Sequence, residues 1–107
     1  MLVVTVREGD IRLVGAVELI RGTVEHSRNR HIPKLLINAM GMTGVPIPTL
    51  IDRFLAVEEW AQEAQGMVAV ALVVHPEYIH PQKFAVHVAV HFGMKLDVFS
   101  SEIDGFA

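Results

Sequence analysis

Hydrophobic and polar positions change period several times along the chain, and each change marks an element. Leu2 to Arg7 and Ile11 to Val14 are β-rich runs on either side of Glu8-Gly9-Asp10. Gly9 can supply the positive φ of a tight turn, so the pattern predicts an N-terminal β-hairpin. From Ala16 to about Arg30, Val17, Ile20 and Val24 recur near helical spacing, with Glu18, Arg21, Glu25 and Arg28 between them. A helix is expected there, weakened by Gly22. Its basic end, Arg28-Asn29-Arg30-His31, suits the negative pole of a helix dipole, and Pro33 opposes continuation.

Leu35 to Met40 is an almost wholly apolar run between Pro33 and Gly41, the pattern of a central strand buried on both faces. A loop follows from Gly41 to Pro48. Thr49 then precedes the clearest helix of the chain, in which Leu50, Phe54, Val57, Ala61 and Ala64 form one apolar stripe opposite Asp52, Glu59 and Glu63. Gly66 ends that helix, and Met67 to Val74 reads as a second buried strand. Pro81 is placed for the first turn of another helix over Gln82 to Phe92, with Phe84, Ala85, Val88, Ala89 and Phe92 inward and Gly93 closing it. Leu96 to Phe99 is a short strand, and Ser100-Ser101-Glu102 opens a final helix that is incomplete at Ala107.

The expected succession is β-β-α-β-α-β-α-β-α over a single domain, residues 1–107, with no long linker and no internal repeat. Alternating strands and helices after the hairpin imply an α/β fold with a mixed sheet covered by helices.

Composition narrows the function. Hydrophobic residues make up 51% of the 107 positions and the mean hydropathy is +0.40. That is more apolar surface than a small domain readily hides, so a second subunit or a ligand is expected to cover part of it. A net charge of -3 with no Lys/Arg run argues against nucleic acid. The chain has no Cys, which removes disulfides and thiolate metal ligation and fits a cytoplasmic setting. The first residues lack the basic and apolar segments of a signal peptide, and no apolar run is long enough for a transmembrane segment.

The unit from Leu35 through Gly41 to Leu50, the strand Met67 to Val74 and the ending Leu96-Asp97-Val98-Phe99-Ser100-Ser101-Glu102 resemble STAS domains, and more narrowly the SpoIIAA-like proteins. The resemblance spans essentially the whole chain and rests on element order more than on any motif. It implies a small non-enzymatic module that binds partners or, in some branches, nucleotides or apolar ligands. In the antagonist branch a kinase phosphorylates a Ser at the start of the helix after the central strand. That stretch falls on Pro46-Ile47-Pro48-Thr49 here, and Ile47 has no hydroxyl, so the phosphorelay role does not carry over. Thr49 is read as a helix cap.

Three features could carry function. The loop with Met42, Thr43, Val45, Ile47 and Thr49 is unusually apolar and lies where open α/β sheets bind ligands, which suits a protein partner, a small apolar molecule or a lipid surface. Val86 and Val90, with His87 beside them, mark a surface stripe for a homodimer. His87 and His91 have metal-ligand spacing, but no third ligand follows at a recognisable distance, so no metal or other cofactor is expected. No catalytic residues are expected. Ser27, Ser100 and Ser101 lie where capping explains them, and Glu58 and Glu59 point about 100° apart on one helix. The leading expectation is a non-catalytic binding or regulatory module; the alternative is a carrier or sensor of a small apolar ligand or lipid.

Overall fold

The structure, a computed structural model, describes residues 1–6, 9, 10, 12–43 and 45–101. Its elements in chain order are β1 (Leu2–Thr5), β2 (Gly9–Asp10), α1 (Leu13–Asn29), β3 (Lys34–Asn38), β4 (Met42–Thr43), α2 (Leu50–Ala64), β5 (Ala69–Val73), a 3₁₀ turn (Pro76–Tyr78), α3 (Phe84–His91) and β6 (Lys95–Phe99). The main sheet holds β1, β3, β5 and β6 side by side in chain order, and every pairing is parallel.

Strand order decides where the helices go. A right-handed crossover that steps always in the same direction puts its helix on the same face each time. Accordingly α1, α2 and α3 form one layer, and Ile20, Val24, Ala56, Val57, Trp60, Val88 and Ala89 share a core with Leu35, Ile37, Val70, Leu72, Leu96 and Val98. Because strand side chains alternate, Val3, Leu36, Ala71 and Asp97 form a row on the other face, with Thr5, Asn38, Val73 and Phe99 in the next row. Leu36 and Val73 are fully buried on that face. The short β2 and β4 pair with each other in parallel, Gly9 with Met42 and Asp10 with Thr43.

The expected N-terminal hairpin does not form. β1 lies parallel to β3, with Leu2 opposite Leu35 and Val4 opposite Ile37, and Leu13 and Val14 open α1 instead of continuing a strand. The physical reason is the stripe that Leu13 completes. It stands three and four residues before Ala16 and Val17, so one more helical turn joins it to their inward face. With every pairing among the described residues parallel, the expected mixed sheet is corrected to a parallel one. The final helix expected after Ser101 lies outside the described residues.

Helix α2 matches its expected span but not its expected face. Ala56, Val57, Trp60 and Ala64 are buried, whereas Leu50 and Phe54 are exposed, at 49% and 37%. The inward stripe is displaced by about one residue from the expected one, and the two share only Val57, Ala64 and the packed Ala61.

Helices α1 and α2 meet along a seam with Trp60 at its centre, where the indole N–H donates to the Val17 carbonyl at 3.0 Å. Toward the C-terminal ends of both helices the seam is ionic. Arg21 reaches Glu18, Glu25, Glu59 and Glu63, and Arg28 donates to both the carboxylate and the carbonyl of Glu63. The Glu59 carboxyl is raised from its ordinary value chiefly by the neighbouring Glu18 carboxylate, and Glu18 is lowered by the same contact and by Arg21. Ser27, buried beside this end, donates to the Ile32 carbonyl at 2.8 Å and ties α1 to the approach to β3.

Candidate ligand-binding site

At the opposite end of the seam, where the strands finish and α1 and α2 begin, the helical layer and the sheet do not close completely. A cavity of about 110 Å³ remains between them. Its walls come from α1 (Leu13, Ala16, Val17 and Ile20), from α2 (Ala56, Val57 and Trp60), from the end of β5 (Leu72 and Val74) and from the edge strand β6 (Leu96 and Val98). The β3–α2 connection adds Met42, Val45 and Pro48. Small residues explain the gap: Ala16 and Ala56 face each other's helices where longer side chains would fill the space.

Polar groups occur at one edge of this cavity, supplied by Asp52, Arg53 and Tyr78. The Tyr78 hydroxyl donates to the Val45 carbonyl at 2.7 Å. Arg53 donates through Nη1 to the Pro48 carbonyl at 2.7 Å and through Nη2 to the Tyr78 carbonyl at 3.3 Å. These bonds stitch the β3–α2 loop to the turn after β5. Asp52 is turned the other way: its carboxylate accepts from the Thr49 backbone N–H while the Thr49 hydroxyl accepts from Asp52 N–H, a complete capping box. Among the described residues Arg53 makes no ion pair.

The loop residues singled out from the sequence divide. Met42 and Val45 line the cavity, with Met42 packed against the core. Ile47 points outward and is 60% exposed, and Thr49 is occupied as the cap of α2. Thr43 pairs with Asp10 through the backbone; its side chain lies outside what is described. Sequence reasoning missed Leu13, Arg53, Trp60 and Tyr78 as members of one site. Arg53 carried a signal, as the lone basic residue on a helix whose other charges are acidic.

The α3 stripe lies elsewhere. Val86 packs against the core, while His87 and Val90 are exposed. His91 stands edge-on to Phe92, and His80 accepts from Gln82 N–H through Nδ1. Among the described residues no three His, Asp or Glu side chains gather as metal ligands. A second apolar surface was not foreseen: Ile47, just before α2, and Leu50, Ile51, Phe54 and Leu55, along its first half, are all exposed. Among the described residues no helix is long and apolar enough to cross a membrane. No family model, curated protein or solved structure matches the chain.

Proposed function

We propose that the domain is a non-catalytic binding module whose working site is the apolar cavity between the α1–α2 seam and the C-terminal ends of β5 and β6. The observation that carries this reading is a cavity of about 110 Å³ with apolar walls and a single polar edge. An apolar cavity of comparable size, on the order of 150 Å³, stays dry and accepts a benzene ring. A ligand here is therefore a small molecule, or one end of a larger one, with an apolar part of roughly six carbons. The non-catalytic character agrees with what a STAS-like module would be; the ligand reading rests on the cavity and not on that resemblance.

The test is a thermal-shift and NMR titration with neutral small aromatics, toluene first, against wild type and Ala16→Leu. Leu at position 16 is expected to fill the cavity, at a cost of no more than about 1–3 kcal/mol where it overfills it. Wild type is expected to gain melting temperature and show shifts at Val17, Val57 and Val98, and Ala16→Leu to show neither. Equal responses in both proteins would end the reading.

Self-association is a second reading, favoured by the exposed run Ile47, Leu50, Ile51, Phe54 and Leu55 and not by the α3 stripe. Contiguous apolar surface of this kind commonly marks an interface. Sedimentation of wild type as a dimer and of Leu55→Glu as a monomer is the expected result; a monomeric wild type at high concentration removes it.

A further inference from the structure

The chemistry of the ligand can be taken further, on the premise that the cavity is the binding site. We propose that the ligand is a small amphipathic carboxylate, whose apolar body fills the cavity and whose carboxylate pairs with Arg53.

Arg53 is half-buried on the edge of an apolar cavity, and its partners are two backbone carbonyls from different loops. A guanidinium offers five N–H donors in a planar fork suited to bidentate capture of a carboxylate. Carbonyls satisfy donors but carry no formal charge, and among the described residues no carboxylate forms an ion pair with Arg53. The nearest acidic residue in sequence, Asp52, has its carboxylate committed to the Thr49 backbone. The two arginines at the other end of the seam are treated differently, since Arg21 and Arg28 both hold carboxylates. The first turn of α2 adds the positive end of a helix dipole beside Arg53. An anion entering along the apolar wall would meet a preformed cation and bring the opposite charge that its carbonyl partners lack, with the option of a bidentate pair. A neutral ligand of the same shape would gain only the apolar contacts.

The experiment compares phenylacetate with 2-phenylethanol, which share an apolar body and differ in the charged head, by isothermal titration of the full chain at low and high salt. Wild type is expected to bind phenylacetate at least about tenfold more tightly than the alcohol, with the advantage shrinking as salt screens the pair. Arg53→Met, which keeps an apolar stem, is expected to bring the two affinities together, and Arg53→Lys to keep part of the difference. If wild type binds acid and alcohol equally, the carboxylate proposal fails while the cavity reading stands, and this arm needs no variant to fold. If wild type binds neither, the cavity reading fails and takes the proposal with it.

Discussion

The two ends of the α1–α2 seam use the same residue type in opposite ways. Toward the C-terminal end, Arg21 and Arg28 meet Glu18, Glu25, Glu59 and Glu63, and each of these two arginines has a carboxylate within ion-pair distance. At the N-terminal end, Arg53 borders a cavity, and among the described residues its partners are the carbonyls of Pro48 and Tyr78. Trp60 divides the two regions. The contrast teaches where this domain can respond to something added. A compensated network has nothing left to offer a ligand, whereas a hollow apolar end with an unneutralised guanidinium offers both volume and charge.

The strongest way to break the comparison is to remove the divider. Trp60→Ala deletes a buried indole and its bond to Val17, and should cost about 3–5 kcal/mol, measured by urea denaturation. It also merges the cavity with new space, so both ends should be affected. A narrower cut is Glu63→Ala, which leaves Arg28 and one arm of Arg21 without their interhelical carboxylate. About 1–2 kcal/mol should be lost, because the group is only 23% exposed, with toluene affinity unchanged. A fall in toluene affinity matching that in stability would mean the two ends are not independent.

The smallest expected effect concerns pH. Glu59 has a folded-state pKa raised above 4.5, so its contribution is present at low pH and is lost as pH rises through the raised value. Glu18 is lowered, so its contribution is present above the ordinary value and is lost as pH falls through the lowered one. The Glu18–Glu59 contact therefore serves the seam best in the window between the two. Glu59→Gln keeps a neutral donor for Glu18 at every pH. Its melting temperature should gain slightly on that of wild type as pH rises from about 4.5 to about 7, on the carboxylate scale of ordinary values. A parallel pH profile for the two proteins would show that protonation of Glu59 does not contribute to the seam.

Much of this arrangement was legible along the chain, and the places where it was not have a common cause. The span of α2, the strands around Leu35 and Val70 and the capping role of Thr49 follow from periods, breakers and the chemistry of a hydroxyl before a helix. Arg53 was hidden because the stripe through Leu50, Phe54 and Val57 is as regular as the true one through Arg53, Val57, Trp60 and Ala64. Hydrophobic periodicity ranks Phe above Arg for the inward place. Here the inward place borders a cavity, where a charged group on a long stem can sit at the edge with its donors on carbonyls. Ile11 to Val14 misled for a related reason: four residues are too few to separate a strand from a helix start.

By itself the sequence determined an α/β chain rich in apolar residues, the positions of most helices and strands, and an apolar loop after the central strand, because these depend on local periodicity and on Gly and Pro. Only the tertiary structure decided that β1 joins β3 in parallel, that all three helices share one face, and that Leu13, Met42, Arg53 and Tyr78 border one cavity. Those outcomes depend on which distant surfaces bury one another. A volume left between Ala16 and Ala56 belongs to no stretch of sequence, only to the distance at which two packed elements come to rest.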